Sequence, residues 1–193
     1  MAEKSGKYWV KWANTHANPS SNIEDLESVF KSSVKEFIKA LEDAGITVKT
    51  GETKRSKERA LLYHWSWKIA LGKCKASDAD NDKMPGVDIQ WDHGNDDESK
   101  AGAQEMVDGF HLAVPPKSTV APAKTSTHIE GKAIDMTITW SGEKEVKKKN
   151  QSAPVKVIFN PDVNQNAILH EIGESYGIKK LKNDAPHWSY NGK

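Results

Sequence analysis

The sequence has few of the features that mark disulfide-rich, membrane-spanning or nucleic-acid-binding proteins. It holds one cysteine, Cys74, so an internal disulfide is excluded, and this fits synthesis in a reducing compartment. No stretch approaches the roughly 20 apolar residues of a membrane span, and the polar N-terminus leads into no apolar run of signal-peptide length. The formal net charge of +1 gives no electrostatic reason to expect a nucleic acid or a membrane surface as partner. We therefore expect a protein made in the cytoplasm, without membrane insertion, which another system must deliver to any substrate outside it.

The periodicity of the apolar residues predicts an α+β fold in a single domain over residues 1–193. Spacings of three and four predict helices at 23–44, 57–71, 99–112 and 164–176, the last with Ile168, Leu169, Ile172 and Tyr176 inward. Strict alternation at 133–140 predicts a half-buried strand with Asp135 on its polar face, and shorter strands are expected at 46–50 and 155–159. The fold class is then a small antiparallel sheet with helices packed around it.

Two segments stand outside this pattern. Residues 1–22 form a polar N-terminal segment that carries two tryptophans and has a loop signal at 18–22. Residues 74–98 are crowded with aspartates and are interpreted as an acidic surface insertion. Asp78-x-Asp80-x-Asp82 resembles the opening of a calcium loop, but Lys83 stands where the tight-turn glycine belongs and Ile89 where the bidentate glutamate belongs. A solvated acidic loop is the favoured interpretation, with a loosely held cation as the alternative.

Two histidines and an aspartate have the residue types of a catalytic zinc site. His128 and Asp135 are seven positions apart, and Gly131 between them permits a sharp bend; His187 supplies a third ligand. Three protein ligands leave the fourth position of the metal open for water. Asp184, three residues before His187, is suited to act as the general base beside that water. The sequence therefore predicts a zinc hydrolase.

A second candidate for a metal motif fails on inspection. His170-Glu171 looks like the start of a helix that binds zinc through two histidines four residues apart. Position 174, where the second histidine is needed, holds Glu174. We therefore set this motif aside.

The motif residues carry a family resemblance. Ser126-x-His128-x-x-Gly131-x-Ala133-x-Asp135, followed by Asp184-x-x-His187-Trp188, resembles the zinc D-Ala-D-Ala carboxypeptidase and L-alanyl-D-glutamate peptidase family. That family includes phage endolysins and VanX/VanY-type dipeptidases, and it shares its fold with the hedgehog N-terminal domain. Residues 48–63 also resemble the family's strand, its arginine-serine turn and the helix that follows. The resemblance covers about residues 23–73 and 99–190, with the acidic insertion between them.

The resemblance implies a role for each motif residue. Zinc would be bound by His128, Asp135 and His187, and Asp184 would be the general base, although many members have glutamate there. Trp188, next to the last ligand, would contact substrate or wall the pocket.

Two further roles follow from the same resemblance. Arg55 would steady the oxyanion, but the turn before it is longer than the family form and lacks its aromatic residue, so Lys54 or Arg59 could substitute. Ser126, two residues before the first ligand, would hold substrate or fix the loop.

The function that the resemblance implies is hydrolysis of an amide bond in the peptidoglycan stem peptide. Asp184 and the absence of a signal-peptide pattern favour an L-alanyl-D-glutamate endopeptidase of the endolysin or antibacterial-effector type, acting in the periplasm or at the cell wall. The alternatives are a D,D-carboxypeptidase or dipeptidase, and a zinc-containing binding module without hydrolysis. An export system, a holin or an immunity protein would be the partner that the sequence does not reveal.

Overall fold

The structure is a computed structural model that describes residues 2–193. The α-helices are α1 Lys7–His16, α2 Ser28–Asp43, α3 Lys57–Ala70, α4 Ala76–Asp80, α5 Asp96–Gly109 and α6 Ala167–Ser175. The strands are β1 Glu3–Lys4, β2 Thr47–Thr50, β3 Ile89–Gln90, β4 Ala133–Thr139, β5 Glu143–Lys147, β6 Pro154–Ile158, β7 Lys179–Lys180 and β8 His187–Ser189. The chain is thus a mixed α+β protein with small antiparallel sheets, as expected. Among its described helices, none is both long and apolar enough to cross a membrane.

The described chain forms two compact units, each with its own hydrophobic core. The first unit runs from the N-terminus to Asn18 and resumes over Arg55–Ser126; the second comprises Pro19–Lys54 and Thr127–Lys193. The expectation of one functional domain over 1–193 stays a prediction.

The first unit is built on α3 and α5, with α1 packed beside them. The sequence predicted no helix within the polar segment 1–22, whereas residues 7–16 are helical and bury Trp9 and Ala13. The indole of Trp9 donates to the carbonyl of Glu3, which ties the helix to strand β1. Strand β1 in turn pairs with β3 in parallel.

The acidic segment is a structural part of the first unit, which corrects its interpretation as a surface insertion. It contains α4 and β3 and buries Ala79, Ile89 and Trp91 in the core. Asp80 is held inward because its two carboxylate oxygens accept the backbone N–H groups of Trp91 and Asp92 at 2.7 and 3.1 Å. Asp80 therefore serves the fold, and the residues that the structure describes place no group of metal-holding side chains here.

The second unit is organised by a four-stranded antiparallel sheet in the order β2-β4-β8-β7, with β5 and β6 forming a separate hairpin. Helices α2 and α6 lie with these strands, and the core contains Phe37, Ile134 and Trp188. The predicted alternation of β4 is confirmed: Ile134, Met136 and Ile138 are buried. In that register Asp135 is the half-buried residue that pairs directly across the sheet with His187.

Two predicted helices of this unit begin later than expected. Residues 23–25 form a separate 3-10 turn capped by Asn22, and α2 starts at Ser28 because Glu27 accepts the first free backbone N–H groups. Helix α6 starts at Ala167, and Asn166 caps it through the N–H of Leu169. The side chain of Ile168 was wrongly expected to face inward; it is 39% exposed.

Candidate metal centre

Strand pairing and one tight turn bring the predicted ligands together. Asp135 on β4 and His187 on β8 are direct cross-strand partners, a position at which side chains lie within contact distance. His128 lies in the turn that precedes β4, and the backbone N–H of Gly131 donates to its carbonyl oxygen at 3.2 Å. Gly131 has φ +68°, and a side chain there would meet the backbone nitrogen of Glu27 at 3.0 Å. Glycine is thus needed for the bend that delivers His128.

Three potential ligand atoms converge on one point. Nε2 of His128 lies 3.1 Å from Nδ1 of His187. Oδ1 of Asp135 lies 3.3 Å from Nε2 of His128 and 3.5 Å from Nδ1 of His187. Both histidine side chains are buried, whereas the carboxylate side chain is 25% exposed. The cluster therefore opens to solvent on its carboxylate side.

These distances fit a tetrahedral metal ion. With bonds of about 2.0–2.1 Å, any two ligand atoms of such an ion lie about 3.3 Å apart. The observed separations of 3.1, 3.3 and 3.5 Å match that edge. A purely hydrogen-bonded cluster explains them less well, because each ring N–H points in one direction and three mutual contacts need three well-aimed protons. His128, Asp135 and His187 form a group that could hold a metal ion.

The electrostatics of the cluster favour an ionised carboxylate. Burial opposes the charge on Asp135, but hydrogen bonds and charge interactions with His128 and His187 outweigh it and hold the pKa of that carboxyl well below its usual range. A carboxylate that stays ionised at neutral pH is the form that binds a metal.

Gly51 allows a neighbouring strand to approach the cluster closely. Its backbone N–H donates to the carbonyl of Asp135 at 2.7 Å, and the N–H of Asp135 donates to the carbonyl of Glu52 at 2.8 Å. A β-carbon at position 51 would lie 3.1 Å from that of Asp135. A side chain at this position would therefore push against the ligand.

A buried lysine holds the loop that carries Asp184. Lys180, on β7, is only 7% exposed, and its ammonium donates to the carbonyls of Leu181, Asp184 and His187. Burial lowers the pKa of Lys180 to about 8. These contacts hold the backbone of the loop that carries Asp184, and the Asp184 side chain is exposed. The assignment of Asp184 as general base stays a prediction.

The candidate oxyanion cations fall in different parts of the fold. Arg55 belongs to the first unit, where its guanidinium lies 5.2 Å from the centre of the Tyr63 ring. Lys54 is exposed and pairs with Ser20 through its backbone. Arg59 is buried, and its donors are engaged within the first unit, which excludes it as an oxyanion cation. The role of Arg55 stays a prediction.

The two predicted substrate-contacting residues differ in their placement. Ser126 is the last residue of the first unit, and its substrate role stays a prediction. Trp188 has no exposed surface and packs against Phe37 and His170. This corrects its assignment as a substrate-contacting residue, because a side chain with no exposed surface cannot touch a ligand in this structure. Its large apolar ring belongs to the core beneath the cluster.

Sequence patterns missed the residues that support the cluster. They act through contacts that involve main-chain atoms, and the residues concerned are Lys180, Thr127, Ser189 and Lys193. Such contacts leave no periodic or spacing signal in a single sequence. The approach of Thr127 to the His187 ring becomes visible only once the fold brings the turn before β4 beside β8.

Searches of family models, curated proteins and solved structures find no match to this chain. Within residues 2–193, the group formed by His128, Asp135 and His187 is the one cluster of histidine, cysteine and acidic side chains with the geometry to hold a metal. The chemistry of that cluster is therefore the basis for a functional proposal.

Proposed function

We propose that this protein is a zinc-dependent peptidoglycan peptidase that hydrolyses the L-alanyl-D-glutamate bond of the stem peptide. The observation that carries the proposal is the convergence of two imidazole nitrogens and one carboxylate oxygen at 3.1–3.5 Å, with the carboxylate side open to solvent. Three protein ligands with an open fourth position are typical of catalytic zinc sites. The motif around these residues resembles the zinc peptidase family described above, and this resemblance supplies the substrate class.

The donor set supports zinc over the harder divalent cations. Imidazole nitrogen is a preferred ligand of zinc and neighbouring transition metals, whereas calcium and magnesium select six or more oxygen ligands. The cluster offers two ring nitrogens and one carboxylate. The edge lengths also match tetrahedral rather than larger coordination spheres.

Within this proposal each residue has a defined task. Zinc, when bound, supplies Lewis acidity that polarises a carbonyl and makes water nucleophilic near neutral pH. Asp184, on the loop held by Lys180, accepts the proton of the attacking water and passes it to the departing amine. Arg55 is assigned to the negative charge that develops on the carbonyl oxygen, a contribution of roughly 3 kcal/mol in comparable sites.

Digestion of purified sacculi tests the proposal. Mass spectrometry of the soluble products is expected to show glycan that keeps only L-alanine of the stem, and a released peptide with a new D-glutamate amino terminus. Asp184→Asn should bind zinc like the wild type but release little product, because the proton acceptor is lost. Loss of a single D-alanine would instead identify a D,D-carboxypeptidase. Stoichiometric zinc with no product from either protein would identify a binding module without hydrolysis.

A further inference from the structure

The second ring nitrogen of His187 faces away from the cluster and has its own partners. Nε2 lies 3.2 Å from the main-chain oxygen of Lys193 and 3.5 Å from the hydroxyl of Thr127. The Thr127 hydroxyl donates to that same Lys193 oxygen at 3.1 Å, so its proton is already used. Both neighbours of Nε2 are therefore available only as acceptors.

A metal on Nδ1 leaves the neutral His187 ring with its proton on Nε2. Nδ1 is the atom that points at His128 and Asp135. A main-chain oxygen cannot donate, so the Lys193 oxygen is suited to accept the Nε2 proton that the metal-bound ring carries. Metal-binding histidines commonly gain their orientation and tautomer in this way.

The Lys193 oxygen is held in place by a closely bonded turn. The hydroxyl of Ser189, which has no exposed surface, shares its proton between this oxygen at 3.0 Å and Oδ1 of Asn191 at 3.2 Å. The same hydroxyl accepts the backbone N–H groups of Gly192 and Lys193 at 3.0 and 3.1 Å. Gly192 has φ +76°, a conformation that a side chain would strain. The turn 189–193 therefore presents one fixed acceptor to the ring.

We propose that the turn 189–193 is a positioning element of the metal centre, in which Ser189 helps to fix the Lys193 main-chain oxygen so that it accepts from Nε2 of His187 and orients Nδ1 toward the metal. The proposal rests on the metal centre of the proposed function, but not on peptide hydrolysis. It assigns to this short segment an effect on metal affinity although none of its side chains touches the metal.

A pair of variants separates the main-chain oxygen from the side chain that accompanies it. Removal of residues 192–193 deletes the oxygen, and zinc affinity measured by chelator competition is expected to fall by about 10- to 100-fold. Lys193→Ala alters only the side chain and keeps the main-chain oxygen, so its affinity should stay within about two-fold of the wild type. Equal zinc affinity of the shortened protein and the wild type would overturn the proposal. Thermal unfolding of the metal-free proteins shows whether each variant is folded.

Proton NMR of the zinc-loaded protein provides a second readout. The Nε2–H of His187 is expected to exchange slowly with water in the wild type and faster in the Ser189→Ala protein, because the acceptor is held less firmly there. Equal exchange in the two proteins would overturn the proposal. If the wild type binds zinc but releases nothing from sacculi, the proposed function fails, whereas the zinc affinities and the exchange rates still decide the role of the turn.

Discussion

The two units bury polar groups in opposite ways. In the first unit Arg59 is 4% exposed, and its guanidinium donates in different directions to three separate acceptors. They are the carbonyl of Ala17 at 2.7 Å, the hydroxyl of Tyr63 at 2.8 Å and the side chain of Asn14 at 2.6 Å. The rings of Tyr63 and Phe110 flank the cation at 5.5 and 5.4 Å. Each guanidinium nitrogen therefore has a hydrogen-bond partner within the protein.

In the second unit the polar atoms face one another. His128, His187 and Asp135 direct two ring nitrogens and a carboxylate oxygen at a common point. Groups of this kind are stabilised by a cation between them, because each offers a lone pair when deprotonated. The comparison shows that burial alone does not mark a functional site; the direction in which donors and acceptors point distinguishes a packing network from a ligand site.

The largest expected effect is the loss of metal from the convergent cluster. His128→Ala should weaken zinc binding on the order of 1,000-fold. Loss of a residue that only supports a ligand lowers metal affinity about 10- to 100-fold, and loss of a direct ligand should lower it further. His170→Ala is the matched control: this histidine lies in the same unit, and its Nε2 bonds the carbonyl of Val163 instead. Zinc titration with a competing chelator measures both. Similar losses in the two variants would remove the distinction between cluster and packing histidines.

Removal of the buried Arg59 cation should lower the stability of the protein without weakening zinc binding. Arg59→Met leaves the acceptors of Ala17, Tyr63 and Asn14 without their charged donor, and we expect the free energy of unfolding to fall by about 3 kcal/mol. Urea titration followed by tryptophan fluorescence measures this, with the exposed Lys57→Met as control. Zinc affinity of the folded Arg59→Met protein should match the wild type. A parallel loss of zinc would show that the two polar groups are not independent.

Lys180 is the counterpart of Arg59 within the second unit, since it too donates to neutral acceptors. We expect Lys180→Met to lower the free energy of unfolding by about 1–2 kcal/mol, less than Arg59→Met, because loss of three carbonyl contacts is partly offset by the removal of a buried charge. Chemical denaturation of the metal-free protein measures the change. A stability equal to that of the wild type would mean that the ammonium contributes nothing to the loop of Asp184.

The smallest expected effect is a pH-dependent one in the first unit. A hydrogen bond from Lys124 lowers the pKa of Asp82, and the indole of Trp65 donates to the same carboxylate oxygen at 2.8 Å. Because the folded pKa lies below the unfolded value of about 3.9, the stabilisation is present above that pH and is lost as the pH falls through the folded pKa. Asp82→Asn should therefore cost about 0.5 kcal/mol at pH 6, allowing for solvent screening, and less at pH 3.

Denaturation monitored through tryptophan fluorescence at the two pH values tests this prediction. The control is Asp108→Asn, since Asp108 lies on the exposed side of α5 and accepts only from the amide of Gln104 four residues earlier. A difference between wild type and Asp82→Asn that grows on acidification would contradict the assigned direction of the pKa shift.

The parts of the fold that were predictable are those whose burial follows a regular period. Strand β4 alternates strictly, and α2 and α3 show spacings of three and four, so their existence and type were foreseen. Helix α1 was missed because Trp9 and Ala13 are its only fully buried residues, too few for an apolar stripe. The acidic segment was interpreted as a surface insertion because its density of aspartates suggested solvent exposure. The carboxylate of Asp80 instead accepts hydrogen bonds from backbone N–H groups.

In the candidate site, too, some residues were predictable from the sequence and others were not. His128, Asp135 and His187 were found because metal ligands are restricted to few residue types and their motif is compact. Lys180, Ser189 and the Lys193 oxygen were not found, since their contacts are to main-chain atoms and any residue supplies those. The roles of Asp184 and Arg55 still rest on the resemblance and remain predictions.

The most direct test of the central claim is the zinc stoichiometry and affinity of the metal-free wild type beside Asp135→Asn. The substitution keeps the size of the side chain but removes the charge between the two imidazoles. The wild type should bind one zinc per chain, and Asp135→Asn should bind it at least about 100-fold more weakly. A wild type that binds no zinc, or that binds it as weakly as Asp135→Asn, would contradict the account.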